Sequence, residues 1–369
     1  MATTYLLTHA AKALPFDALA QEAWQALGAA ANESSVTRRY DDTPWFRRGV
    51  DVRAEAVASL PFVFVDTATG DVLDAGELPP LPFALEFEAL LNVLEGWLTL
   101  FGAAYLFKGL NAAGVPRELR PLHPATITPR YSSVYGVESF ERRTADGPVK
   151  LTPAEVVALW LPSRQSEVGP GSAPAQAALA AATLLCSADS FGQLYFENGV
   201  IAPALVTLPP STPDAEKQRL ESWAQRTMSG LKRAFNVIGI AADVKVSSLG
   251  QQVALGELAL PALTDKKRED IATAFGVPHS LLFSNAATYA TARQDDLHFY
   301  DKTVIPEARR IERALNRQLF GPLGWRLRFK PELLEVYQAL EAEKADKLAL
   351  LYDRGIYTRE EVRAELGRA

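Results

Sequence analysis

The spacing of apolar and polar residues changes period several times along this chain. From Trp45 to Leu60, Val50, Val52, Val57 and Leu60 are apolar while Arg47, Arg48, Arg53 and Glu55 are polar, which predicts an amphipathic helix. Pro61 ends it, Phe62-Val63-Phe64-Val65 predicts a strand, and Thr67 to Asp71 predicts its turn. Pro79, Pro80 and Pro82 predict a stiff linker. Phe87 to Phe107 predicts a long apolar helix, interrupted near Gly102 and passing into a strand. Gly109 to Pro116 predicts a loop, and Leu119 to Pro129 and Val134 to Arg142 predict short strands, so residues 1–165 read as α+β.

Gly169-Pro170-Gly171-Ser172 predicts a hinge-like loop, and Ser172-Ala173-Pro174 places an N-cap ahead of proline in a first helical turn. An Ala-rich helix follows to Asn198, where Asn198-Gly199 supplies a C-cap. Ala204 to Leu208 predicts a strand, Thr212 to Glu216 starts a helix running to Asn236, and Val237 to Ile240 with Val244 to Val246 predicts a two-strand return. Thr264 to Phe275 predicts a short charged helix, and Ser284 to Thr291 a flexible stretch. Thr291 to Phe320 is the longest helical pattern, and it contains Pro306, which removes a helical hydrogen bond and predicts a kink. Trp325 to Phe329 alternates as a strand. Leu333 to Leu351 and Thr358 to Leu366 predict two final helices, the second opened by the capping box Thr358-Arg359-Glu360-Glu361.

Composition narrows the functional classes. The 369 residues are 48% hydrophobic and 22% charged, which suits a globular chain of two or three structural units. A single cysteine, Cys186, excludes an intrachain disulfide framework and a Cys-rich zinc site. Cys186 sits among Ala and Leu and is expected to be a buried, inert thiol. His9, His123, His279 and His298 form no ligand pair at helical spacing. The net charge of −6 argues against tight nonspecific nucleic-acid binding, which needs clustered Lys and Arg. Residues 1–100 hold 14 acids and 6 bases, which predicts an acidic, solvated N-terminal third. Met1 to His9 lacks the charged start of a signal peptide. The longest uncharged run, Val168 to Ala188, holds Pro170, Pro174 and Gln176 and makes a poor membrane span. A soluble intracellular protein is the expectation.

Catalytic motifs are absent: there is no P-loop, HExxH, CxxC or GxSxG, and Gly169-x-Gly171 lacks the third glycine of a dinucleotide turn. Asp295, Asp296 and His298 read either as acid–base or metal chemistry or as a solvated helix face. The run Asp265 to Asp270 reads as a solvated, pore-facing or intersubunit face. Two functional classes therefore stand, a structural assembly protein without a catalytic centre and an α+β nucleic-acid-processing enzyme using Asp295, Asp296 and His298.

A series of motifs then carries a resemblance. Ile271-Ala272-Thr273-Ala274-Phe275-Gly276-Val277-Pro278, Leu281-Leu282, Thr288-Tyr289, Phe299-Tyr300, Ile305-Pro306, Ile311-Glu312 and Ala314-Leu315-Asn316-Arg317-Gln318-Leu319 come in that order. Before them stand Val57 to Pro61, Leu98 to Leu106 with Gly102, Glu118 to Pro124, Leu151 to Val157, Gly171 to Pro174 and Phe196 to Gly199. Over about residues 45–320 the chain resembles the portal proteins of tailed bacteriophages with long flexible tails. It departs where Phe283-Ser284 replaces a glycine usually found with the leucines, and the segment after Lys330 is short.

The resemblance implies an α+β portal fold: a wing at 1–172, stem helices at 173–198 and 251–278, a clip at 199–250, a tunnel loop at 279–291, a long kinked helix and return strand at 292–331, and a short helical crown at 332–369. It implies a homo-oligomeric ring, usually of twelve, at one capsid vertex of a virion assembled in the host cytoplasm. Double-stranded DNA would pass through without sequence recognition. The partners would be the major capsid protein, the terminase large subunit and a head–tail adaptor, with no membrane, cofactor, metal or catalysis. Under it Ser284, Asn285, Ala286, Ala287, Thr288, Tyr289 and Arg293 are the DNA-facing candidates. Lys217, Trp223, Arg226, Lys232 and Arg233 are the clip docking candidates, and Pro306 marks the bend of the long helix. That helix holds five acids and six bases over 292–320, a near balance that suits a channel through which DNA slides.

Overall fold

The computed structural model describes residues 33–74, 77–112, 114–132, 136–164, 169–198, 204–207, 245–248, 260–282 and 289–365. The predicted helix to Asn236, the strand Val237 to Ile240, all five clip candidates and Ser284 to Thr288 lie outside these residues. In chain order the elements are α1 (Glu33–Asp42), α2 (Pro44–Ala58), β1 (Phe62–Asp66), α3 (Phe87–Phe101), β2 (Ala103–Leu110), β3 (Pro116–Leu122), β4 (Ile127–Ser132), β5 (Gly136–Thr144), β6 (Gly147–Leu151) and β7 (Val156–Trp160). They continue with α4 (Pro174–Asn198), β8 (Ala204–Thr207), β9 (Lys245–Ser248), α5 (Leu260–Phe275), α6 (His279–Leu282), α7 (Tyr289–Phe299), α8 (Ile305–Leu315), β10 (Trp325–Phe329), α9 (Glu335–Asp353) and α10 (Arg359–Glu365).

The chain divides into two compact units, Met1–Thr43 with Leu179–Arg268, and Pro44–Ala178 with Glu269–Ala369. In the first, α1 buries Val36, and β8 pairs antiparallel with β9 in the register Val206↔Val246. Arg268 meets Asp265 at 3.1 Å, one turn apart on the charged run. Cys186 is half-buried, more open than its apolar neighbours suggest.

The second unit holds three antiparallel sheets, β3-β2-β7, β4-β5-β6 and β1-β10. The acid-rich third of the sequence does not form a unit of its own, since residues 44–100 belong with 269–369. Helix α3 is its most buried helix: Leu90, Leu91, Leu94 and Leu98 are each 1% exposed or less. Each such leucine contributes roughly 1.5–3 kcal/mol by leaving water. Gly102 stops α3 in the left-handed conformation (φ 73°) and returns its N–H to Leu98 O. A Cβ there would lie 2.2 Å from Gly171 O, and one on Gly171 would lie 2.4 Å from Pro162 O. Two backbones therefore cross where only glycines fit, and Leu161 N–H to Gly102 O and Gly171 N–H to Leu161 O tie the crossing.

Two apolar clusters organise the sheets. Tyr105, Phe140, Leu122 and Val156 form the core shared by β2, β3, β5 and β7. Phe64, Phe87 and Phe320 meet edge to face, with ring centroids 4.9 Å apart for Phe64–Phe320 and 5.7 Å for Phe64–Phe87.

Several boundaries differ from expectation. The single predicted strand from Leu119 to Pro129 is two strands, β3 and β4, separated by a 3₁₀ turn at Pro124–Thr126. His123 caps that turn, its Nδ1 accepting the Ala125 N–H at 3.3 Å. Strands β6 and β7 were not expected; the Asp146-Gly147 turn joining β5 to β6, with Gly147 at φ 118°, is the local signal for β6, whereas β7 pairs with the distant β2. The capping box holds: Glu361 accepts the Thr358 N–H at 2.7 Å and returns its own N–H to Thr358 Oγ1 at 3.3 Å.

Candidate functional site

Residues 289–320 form one continuous helical run, with two π turns at Tyr300–Val304 and Asn316–Phe320. In the first, the Ile305 N–H reaches back five residues to Tyr300 O, directly before Pro306; in the second, the Gly321 N–H reaches Asn316 O, directly before Pro322. The placement has a steric cause. A proline ring clashes with the carbonyl four residues earlier, and a widened turn gives that carbonyl room. Pro306 thus sits at the start of α8, with the π turn as the local distortion.

Two amide side chains of the second π turn grip neighbouring strands. Asn316 Nδ2 donates to Leu327 O and its Oδ1 accepts the Leu327 N–H, both at 2.8 Å. Gln318 Nε2 donates to Ala158 O at 2.9 Å and its Oε1 accepts the Ala158 N–H at 3.0 Å. Each amide reproduces one rung of a sheet ladder, so β10 and β7 are closed on the side facing the helix. Glu312 accepts the next outward N–H of β10, that of Phe329, at 3.0 Å. β10 itself pairs with β1, Phe62↔Phe329 to Asp66↔Trp325.

A buried charge cluster fixes the other end of α8. Arg53, on α2, places Nε 2.6 Å from Glu95 Oε1 and Nη2 2.8 Å from Glu307 Oε1, and donates from Nη1 to Phe275 O at 3.2 Å. Arg310 pairs with the second oxygen of Glu307. Four helices, α2, α3, α5 and α8, therefore meet on one guanidinium. Arg53 was expected on the polar face of its helix; its side chain is only 6% exposed, because its partners lie 42 and 254 positions away. Both titrations of the pair are raised, for different reasons. Burial opposes the charge on Arg53, but Glu95 and Glu307 outweigh it and hold the guanidinium above its ordinary value. Burial pushes the Glu95 carboxyl up to about 7, against the pull of Arg53 and with Glu307 adding to the rise. Glu95 loses all contact with water and shares its cation with Glu307, and its Oε2 has no hydrogen-bond partner among the described residues. In the sequence, the one signal for this cluster is Glu95 standing alone in the apolar run Leu90 to Phe101.

Helix α9 meets the long helical run through two polar contacts: Arg293 of α7 pairs with Glu343, and the Tyr337 hydroxyl donates to Asp301 in the first π turn. Burial, with the Asp301 carboxylate beside it, raises the Tyr337 phenol well above its ordinary range. Arg293 is thus engaged by Glu343 within the chain. Tyr289 opens α7. The other DNA-facing and clip candidates lie outside the described residues.

Asp295, Asp296 and His298 do not assemble a site. Asp295 accepts from Ser280 Oγ at 2.7 Å, and His298 is exposed. Burial and the neighbouring Asp295 raise the Asp296 carboxyl. Among the described residues no group of three or more His, Cys, Asp or Glu is placed to hold a metal ion. No described helix is long and apolar enough to cross a membrane.

Comparison with known proteins places these features in a wider context. The pattern of the family described as phage portal protein matches residues 44–367. A probable portal protein of Streptomyces phage phiC31 is 27% identical over 200 residues, 53% of this chain; the chain spans 43% of that relative's length. Among solved structures, the neck of an empty gene transfer agent (GTA) particle computed with C6 symmetry matches with a TM-score of 0.65 at 21% identity. That match covers 91% of this chain and 94% of the other. An HK97-family phage portal protein from Corynebacterium diphtheriae matches with a TM-score of 0.56 at 16% identity, covering 82% and 96%.

Proposed function

Since the chain belongs to the phage portal protein family, we propose that it forms a ring, of about twelve copies, at one capsid vertex and serves there as the conduit for DNA packaging and ejection. In this proposal residues 1–172 are the wing, 173–198 and 251–278 the stem, 199–250 the clip, 279–291 the tunnel loop, 292–331 the long helix with its return strand, and 332–369 the crown. The clip would dock the terminase large subunit and the head–tail adaptor through Lys217, Trp223, Arg226, Lys232 and Arg233. Ser284 to Tyr289 and Arg293 would meet the DNA backbone, and the wing would meet the major capsid protein. The protein would work in the virion, after assembly in the host cytoplasm, and would act by shape and charge with no cofactor and no turnover.

The observation that carries the proposal is the long helix 289–320, held by Arg53 at one end of α8 and by Asn316 and Gln318 at the other. A conduit must keep its lining while a polymer is driven past it, and such a strut suits that load. The related neck structures computed with C6 and C12 symmetry support a ring.

The test is the mass and symmetry of the purified protein, by light scattering and negative-stain microscopy. A chain of 40.2 kDa predicts a closed ring of roughly 0.5 MDa with a central hole. A compact dimer with a closed cleft would overturn the proposal and favour the enzyme reading.

A further inference from the structure

The near balance of charge along the long helix conceals a local excess of arginine on one of its faces. On α8, Glu307 turns toward Arg53, while Glu312 accepts the Phe329 N–H from the floor of two open grooves. Arg309, Arg313 and Arg317, four residues apart, are exposed on another face. On β10, Arg326 and Arg328 share the exposed face while Leu327 and Phe329 enter the core. The two sets converge. Arg309, Arg313 and Arg328 line one open groove of about 430 Å³ with Lys330, Glu312 and Glu332, and Arg313, Arg317, Arg326 and Arg328 line an adjoining groove of about 430 Å³ with Glu312, so the arginines outnumber the acids in both. Among the described residues none of the five arginines forms an ion pair. Arg328 feels the field of Glu332, which Lys330 already pairs at 3.0 Å.

We propose that this arginine face of α8 and β10 is a second DNA-contacting surface, binding the phosphate backbone of duplex DNA without reading its sequence. The inference rests on the proposed function and adds to it a surface separate from the tunnel loop. Three observations favour nucleic acid over an acidic protein partner. All five cations are arginine, whose planar fork matches phosphate oxygens in pairs. Residues 301–329 contribute no exposed large hydrophobic side chain to anchor a protein interface. The stripe from Arg309 on α8 to Arg317 in the second π turn spans about 12 Å at 1.5 Å per residue, and duplex DNA presents a phosphate charge every 1.7 Å or so of its axis. Interfaces with DNA are polar and strongly positive in this way.

The experiment uses the assembled full-length protein and a fluorescein-labelled 20-base-pair duplex of random sequence, with binding read by anisotropy from 25 to 200 mM NaCl. Each phosphate contact contributes about 0.9 to the slope of log K against log salt. Arg309→Gln with Arg313→Gln and Arg317→Gln should lower that slope by about 2–3, and Arg326→Gln with Arg328→Gln by about 1–2. The corresponding lysine variants should keep most of it. Light scattering on every variant should return the wild-type mass. An unchanged slope overturns the proposal, as does a wild-type assembly that does not bind. Variants that lose assembly assign the face to subunit contact instead. Polyglutamate displacing the duplex equally at matched charge assigns it to an acidic protein surface. A chain that never assembles, yet shows the arginine-dependent slope, fails the ring while leaving the surface in place.

Discussion

Replacing Arg53 with methionine would remove the single cation shared by Glu95 and Glu307 while keeping most of the side chain's volume. Glu307 would retain Arg310, so the stranded group is Glu95, whose side chain is 0% exposed. Removing one partner of a buried pair costs about 3–5 kcal/mol, several times an exposed pair. We expect a loss in that range at pH 8, read as a lower urea midpoint at unchanged slope by tryptophan fluorescence. The loss should shrink toward pH 5, where Glu95 takes up a proton. In the wild type, folded Glu95 holds its proton up to about 7 whereas the ordinary carboxyl releases it near 4.5. The folded state thus binds more protons in that window, and this group's contribution to stability falls as pH rises through it, by about 3 kcal/mol in all. Glu95→Gln should flatten that slope, and Arg53→Met with Glu95→Gln should recover at least half of the single-variant loss. A loss below about 1 kcal/mol for Arg53→Met at pH 8 would refute the reasoning and reduce the cluster to the standing of a surface pair.

Gly102→Ala combines a left-handed φ with a Cβ 2.2 Å from a carbonyl oxygen, and should cost at least about 2 kcal/mol on the same urea assay. A change within about half a kcal/mol would mean the two backbones separate freely there. Asn316→Ala and Gln318→Ala each leave a strand N–H and C=O unmet, at about 1–3 kcal/mol. Hydrogen exchange should quicken at Leu327 in the first and at Ala158 in the second; uniform quickening in both would show that the amides only support general packing.

Local order was readable because it is written locally. Pro61, Gly102 and Pro174 punctuate the helices they bound, and the Thr358 capping box announces α10 within four residues. What escaped depends on distance. Arg53 looks like any polar helix residue until Glu307 is brought to it, and Asn316 and Gln318 look like solvent-facing amides until two strands arrive. The π turns are faint in the sequence, since each shifts the helical spacing by a single residue, though Pro306 marks where the first must resolve. The arginine face escaped for another reason: charge was counted along the helix, whereas the fold sorts it around the helix.

Those two extra residues also set direction. One residue of α-helix turns about 100°, so each π turn sets the residues after it back by about that phase relative to an uninterrupted rod. Before the first π turn α7 meets α9 through Arg293, and after it α8 meets Arg53 and β10 through Glu307 and Glu312. A single run of backbone can thereby address two different surroundings, one before Tyr300 and one after Ile305, without breaking its axis into separate pieces.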